Sequence, residues 1–451
     1  MATSAPPAPS ASWRSSKQFI LAAVTLGAFV DAVAYGVIIP FLPQIVEQYG
    51  GQDRDIGVLL AFFSAGVLVI SPIMGVVSDR IASRRLPMVG GLAFLALATV
   101  LFMVGRSLWL LVTARFLQGV SGGAVWTVGL SLLADTYGNT ELGVAMSIFF
   151  GIYSLGQLAG PPIGGLLYAR LGYYAPFVLC AILVVIDLVV FLLIVEPPRL
   201  PAGPNHTPGA SGPEQAVELG QASRTATAVG SDAAAAQGED TIILKPDQPA
   251  SARRAPKSIL QILSVPAVII NLLLVAAGGT ATAVFEGTLS LKLRDQFGFD
   301  VEQTGYVFMA VVGPGIIFTP LAGHIYDRVG LPPVSAVSVA LAACMAPVLG
   351  ITMPNIAVFV VVLFAFTACL IFGITPTLPE ISACVPNTAF ARTYGLFNMA
   401  FSVGFLIGPI LGSVVYDKAG WFWVCISMLC LTAVCVPLAL VYKRPVYAKD
   451  E

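Results

Sequence analysis

The sequence predicts an all-α membrane protein whose twelve transmembrane helices form two six-helix parallel repeats. Three observations carry this expectation: the composition, the number of apolar stretches, and a second half that repeats the first. The chain of 451 residues is 57% hydrophobic and 10% charged, against about 25% charged in soluble domains. Most of its surface therefore faces something other than water. About 20 apolar residues are needed to cross the hydrocarbon core, and twelve such stretches are present. The repeat is visible in GVVSDR, beginning at Gly75, which returns as GHIYDR at Gly323, and in GQLAGPPIGGLLYARLGY at Gly156, which returns as GFLIGPILGSVVYDKAGW at Gly404. Each pair stands 248 positions apart, as do Asn139 and Asn387. A constant offset requires the same elements in the same order in both halves, the signature of parallel repeats.

In chain order, residues 1–17 are polar and rich in Pro and Ser, which reads as a disordered cytosolic tail with no cleavable leader. Six spans follow at 18–42, 56–78, 86–105, 108–134, 142–169 and 173–195, making an N-terminal bundle over 18–195. Residues 196–258 are rich in Ala, Pro, Gly, Gln and Ser and read as a disordered cytosolic linker. The second set lies at 264–291, 303–326, 332–351, 355–380, 392–416 and 420–442, within a C-terminal bundle over 259–442. A tail over 443–451 closes the chain.

Basic residues resist translocation, so their distribution predicts orientation. With both termini in the cytosol, 16 of the 23 Lys and Arg fall on the cytosolic side and 6 on the other, with Arg115 inside a span. The sequon at Asn205 then faces the cytosol and stays unglycosylated. The net charge of −1 and the lack of a long basic face argue against a nucleic-acid partner. No G-x-x-x-x-G-K-[ST] loop is present, which excludes that route to ATP. Seven cysteines without a Cys-x-x-Cys pair or a Cys/His cluster read as small apolar residues, so no metal or cofactor is expected.

Three motifs carry mechanism. GVVSDRIASRR (75–85) joins the second and third spans and recurs at Asp327-Arg328. Gly75 allows close helix contact, and Asp79 and Arg80, with Asp327 and Arg328 in the other half, read as a conformational latch. On its own the motif is equally a positive stop that fixes topology. ARFLQGVSGG (114–123) places Arg115 inside the fourth span, where a charge faces a bundle interior or wet cavity. GQLAGPPIGG (156–165) sets Gly156, Gly160 and Gly164 four residues apart, with Pro161 and Gly165 alongside. These small residues let backbones pack closely while the prolines bend the helix.

The first motif resembles the loop signature of the major facilitator superfamily, with Ala82 where the family usually has Gly. The second resembles its fourth-span R-x-x-Q-G motif, and the third its fifth-span pattern that marks antiporters. VDAVAYGVIIPFLP (30–43), the stretch 114–199 and AVFEGTLSLKL (283–293) are similar to the vesicular amine transporter branch of the drug:proton antiporters. The resemblance implies a major facilitator fold and proton coupling through Asp31, Glu286 and Arg115. Taking a carboxylate out of water disfavours its charged form, which suits such groups to carrying protons. Asp187 in the sixth span also matches an acidic position of the branch, with a structural hydrogen bond as the alternative. His324 reads as an interfacial residue.

The chain departs from the branch at Ile374 and Asn398, where the amine transporters carry acids, and Glu380 lies further along the tenth span. This weighs against a cationic monoamine as substrate. Candidates for lining a drug-sized pocket are Tyr35, Trp126, Tyr153, Asn271, Tyr306, Tyr394, Phe397 and Asn398. The expected function is proton-coupled export of a small organic compound by a functional monomer in the plasma membrane. The cargo class is a secondary metabolite, toxin, organic acid or drug. Proton symport, amine or drug sequestration in a vesicle or vacuole, and a non-transporting sensor are the rivals. No nucleophile, base and orienter stand together, so an enzyme is not expected. The partners are the small molecule, protons and the lipid bilayer.

Overall fold

A computed structural model describes residues 13–80, 83–137, 141–195, 263, 265–377, 380–381 and 390–442, with side chains at all of these except 75–76, 78–80, 142–143, 327 and 390–394. Among them are twelve helices long and apolar enough to span a membrane: Lys17–Gln48, Asp53–Met74, Arg85–Val104, Leu108–Thr136, Val144–Leu171, Tyr174–Leu193, Pro266–Phe297, Val301–Tyr326, Leu331–Gly350, Ile356–Ile374, Gly395–Ala419 and Trp421–Val441. They are called spans 1 to 12. The protein is a multi-pass membrane protein with six spans on either side of its centre. Side chains such as Trp109, Val361 and Val434 are well exposed, as expected of surfaces that meet acyl chains.

Proline places the irregularities. The first helix stops at Gly36 and resumes as a 3₁₀ turn Ile39–Phe41 and a short helix Leu42–Gln48. Pro40 and Pro43 lie in this break and lack the N–H that would continue the ladder. The carbonyl that Pro43 would leave free belongs to Ile39, and Ser290 of span 7 donates its hydroxyl there at 3.2 Å. Span 8 shows the same device. Pro314 leaves the Ala310 carbonyl without its helical donor, and the hydroxyl of Thr367 in span 10 donates to it at 3.0 Å.

Within each bundle, glycine sets the closest approach. Spans 5 and 1 pack through Gly156, Gly160 and Gly164, where an added methyl would collide with the backbone of Phe29, Gly36 and Val37. The same register recurs between spans 11 and 7. Gly404 meets the backbone of Ala276, Gly408 that of Thr280, and Gly412 the side chain of Val284. The bundles meet along two seams related in the same way. Gly57 of span 2 lies against Pro409 of span 11, and Gly305 of span 8 lies against Pro161 of span 5. Each partner stands 248 positions from its counterpart.

Polar bonds join the bundles at the end remote from the termini. Arg170 pairs with Glu302 at 3.0 Å. Arg294 reaches Asp53 at 3.6 Å and Glu47 at 3.8 Å, and Ser413 donates to the Arg54 carbonyl at 3.2 Å. The six described cysteines are free. The linker 196–258, the tail 443–451, Asn205 and Cys384 lie outside the described residues.

Candidate functional site

Spans 1, 4 and 7 bring three of the predicted ionisable residues to the centre. Arg115 of span 4 is completely buried. Its guanidinium donates to the Gln118 side chain at 2.9 Å and to the Tyr35 carbonyl at 3.4 Å. It also stacks over the rings of Tyr35 and Phe102, 5.4 and 5.6 Å from their centroids. Its Nε and one terminal nitrogen have no hydrogen-bond partner. Tyr35 donates its hydroxyl to Glu286 of span 7, so the chain Arg115–Tyr35–Glu286 crosses from one bundle to the other.

Asp31 lies apart from that chain. Its carboxyl rests over Gly122 of span 4, where an added methyl would come within 2.9 Å of one oxygen and 3.1 Å of the other. Asp31 is buried and its Oδ1 has no partner. Asp187 of span 6 is also fully buried, with both carboxyl oxygens unpartnered, and it packs against Gly27 of span 1. The centre therefore divides into a cation-bearing part and an acid part. The family resemblance grouped Asp31 with Glu286 and Arg115 for proton coupling. The packing separates them because Asp31 and Tyr35, a helical turn apart on span 1, are engaged by different neighbours.

Trp126 of span 4 packs against Phe149, Phe150 and Tyr153 of span 5, its ring 4.7 Å from that of Tyr153. Tyr153 accepts a hydrogen bond from Gln157 at 2.9 Å. A cleft of about 390 Å³ opens between spans 1 and 5, lined by Gln18, Leu21, Ala22, Thr25, Leu26, Phe29, Ile148 and Ile152. Its volume is within the range of small-molecule pockets.

The remaining candidates do not join this centre. Tyr306 is exposed and donates to Glu302, one turn earlier on the same face, beside Arg170 at the loop end of the molecule. It therefore stands at that end and not beside Asp31, Arg115 or Glu286. Asn271 is buried and donates to the Ala267 carbonyl of its own span. Phe397 packs with Ala267, Val268, Leu331, Ile381 and Tyr442, and Asn398 is half-buried on span 11. The side chains of Tyr394, Asp79, Arg80 and Asp327, and contacts of Gly75, lie outside those described, while Arg328 and His324 are exposed. Glu380 is held near the end of span 10 by the hydroxyls of Tyr326 and Tyr442, at 2.6 and 2.7 Å, away from the central groups.

Gly27, Gly122 and Gln118 complete the centre and were not singled out beforehand. Gln118 stands in the R-x-x-Q-G motif that drew attention to Arg115, so the signal was present. The two glycines gave none, because what makes them matter is a carboxyl arriving from a distant part of the chain.

Two repeated six-span bundles around a buried ionisable centre define a membrane transporter. The chain belongs to the Major Facilitator Superfamily, whose profile matches residues 24–380 and 272–451. An MFS-type transporter of Schizosaccharomyces pombe is 28% identical over 445 residues, covering 93% of this chain and 95% of that one. The synaptic vesicular amine transporter of Mus musculus is 27% identical over 418 residues, covering 91% of this chain and 70% of that one. Among solved structures, a bacterial homologue of the human lysosomal transporter Spinster, inward-facing and occupied, superposes with a TM-score of 0.73 at 12% identity, covering 94% of this chain and 96% of that one. That last likeness is one of fold. The protein is a transporter and not an enzyme.

Proposed function

We propose that this transporter exports a small organic compound in exchange for protons, by alternating access between its two bundles. The observation that carries the reading is the buried centre itself. Tyr35, Arg115 and Glu286 bridge the bundles, while the Asp31 carboxyl beside them keeps an oxygen without a hydrogen-bond partner. A carboxylate desolvated in this way gains from taking up a proton. Losing charge makes the loaded state easier to close, and substrate arriving from the other side then displaces the proton.

The Lys and Arg distribution supports cytosolic termini. The ends joined by Arg170–Glu302 and Arg294–Asp53 are then the outer ends, and the bundles are closed together there. The glycine-proline run of span 5 resembles the pattern that marks antiporters in the superfamily, which favours antiport over symport. We assign the working unit as a monomer in the plasma membrane, with Gly75, Asp79, Arg80, Asp327 and Arg328 as its latch.

The test compares a deletion strain with strains carrying the wild type or Asp31→Asn, by metabolite profiling of medium and cells. The compound retained by the deletion strain should be released again by wild type and not by the variant, which should still be folded and targeted. Undiminished gradient-driven efflux through Asp31→Asn would overturn the assignment. A second reading, sequestration of an amine in an acidic vesicle, draws support from the named function of the vesicular relatives. A fluorescent fusion found on internal membranes, with amine accumulation there, would favour it.

A further inference from the structure

We propose that Asp31 of span 1 and Asp187 of span 6 form one proton-sharing carboxyl pair, with Gly27 as the gap that brings them together. The exchanged proton is then held by two residues and not by one. The proposal deepens the proton-exchange reading and rests on it.

The geometry begins at span 1. Gly27 and Asp31 lie one helical turn apart, so they share a face. Asp187 reaches that face where a side chain is missing: an added methyl at Gly27 would stand 3.2 Å from its Oδ2 and 3.6 Å from its Oδ1. Phe191, one turn further along span 6, closes the same gap at 3.4 Å. Asp187 is 0% exposed and Asp31 2% exposed. Three of their four carboxyl oxygens are buried without a hydrogen-bond partner.

The cations on the surrounding elements are engaged elsewhere, as is Tyr35. On span 1, Lys17 pairs with Glu141 at 2.6 Å, and Tyr35 donates to Glu286. Before span 1, Arg14 donates to the Leu193 carbonyl at 2.9 Å. On span 3, Arg85 donates to the Leu192 carbonyl. On span 4, Arg115 is turned toward Gln118 and Tyr35. On span 5, Tyr153 accepts from Gln157 and lies within electrostatic reach of Asp31. Among the described residues no ion pair reaches either carboxylate.

Two carboxylates desolvated within electrostatic reach of one another, with no cation, repel when both are ionised. One proton changes this: it removes one charge and supplies an O–H donor to an oxygen that has none. The pair then holds one proton and one negative charge. A second proton makes it neutral, and release to water restores the starting state. Asp31, on the span whose preceding turns line the cleft, exchanges with it, and Asp187 stabilises the shared proton from behind. Such a pair titrates as a unit, so removing either member must alter the titration of the other.

The test is infrared difference spectroscopy of the full chain in lipid nanodiscs, following the carboxyl C=O band through a pH titration. Asp31→Asn and Asp187→Asn are compared with wild type. We expect each substitution to displace the midpoint of the remaining band by about one pH unit or more. Gly27→Ala, which pushes Asp187 away by tenths of an ångström, should displace it in the same direction by less. It keeps the test available if Asp187→Asn does not fold. An Asp31 band that titrates identically in wild type, Asp187→Asn and Gly27→Ala overturns the pair. A merely structural Asp187 would lower thermal stability without moving that band. The two readings fail separately, because full efflux through Asp31→Asn sinks proton exchange, whereas unchanged bands sink the pair alone.

Discussion

The hydroxyl of Tyr35 in the first bundle is hydrogen-bonded to Glu286 in the second, and the Arg115 guanidinium lies over the same Tyr35 ring. An acid, a phenol and a cation are thereby linked across the plane where the bundles must separate.

Tyr35→Phe removes the donor and leaves Glu286 buried without it. Hydrogen bonds to charged groups are worth about 1.5–3 kcal/mol, and about 1.4 kcal/mol is a tenfold change in an equilibrium. The variant should shift the molecule at least about tenfold toward opening at the loop end. Nitroxide labels at Gln52 and Lys418 would report this by pulsed electron resonance. A distance distribution identical to wild type would refute it.

Gly57→Ala and Gly305→Ala place a methyl against Pro409 and Pro161 of the opposite bundle. Both should widen the same label distance while leaving each bundle folded. Gly164→Ala acts inside one bundle, on the backbone of Val37. It should instead cost about 1–3 kcal/mol of stability, seen as a lower melting temperature in detergent.

Thr367→Val is expected to leave the Ala310 carbonyl, already deprived of its helical donor by Pro314, without a partner. An unsatisfied buried carbonyl costs about 1–3 kcal/mol, so the melting temperature should fall by several degrees. Ser290→Ala deprives the Ile39 carbonyl in the same way, but across the bundles. Its effect should appear in the opening equilibrium.

Arg115→Lys keeps the charge but loses the planar stack on Tyr35 and Phe102 and the fitted bond to Gln118. A lysine is not equivalent at a stacked site. The variant should be present at normal abundance by fluorescence-detected size exclusion, with efflux reduced about tenfold, as for a loss of about 1.4 kcal/mol. Normal efflux would show that charge alone suffices.

Much of the architecture was legible because hydrocarbon thickness imposes a length that a sequence must obey. Span 3 was expected at 86–105 and found at Arg85–Val104, and span 9 at 332–351 and found at Leu331–Gly350. Span 7 ran further than expected, to Phe297 instead of 291. Its last turns are polar, yet Lys292 lies over the Trp421 ring at 5.4 Å and Arg294 pairs across the bundles, so the helix persists past its apolar stretch. Span 10 ended earlier, at Ile374 instead of 380. Arg115, Asp31 and Glu286 stood out because ionisable groups in apolar stretches are rare. The division between them did not, since it depends on which neighbours reach Asp31 and Tyr35 once span 1 is packed. The place of Tyr306 at the loop end was not legible either, because an aromatic residue on a cavity helix looks the same in sequence wherever its neighbours lie.

The seams at Gly57–Pro409 and Gly305–Pro161 put bare glycine backbone against the backbone of a proline. They behave as a matched pair of bearings, one on each flank, so that torque on the halves is carried evenly. Resistance to turning then comes from the Tyr35–Glu286 and Ser290–Ile39 bonds and from the charged rim formed by Arg170, Glu302, Arg294 and Asp53. Ionic strength on that side becomes a throttle on the cycle, because exposed ion pairs weaken as salt rises.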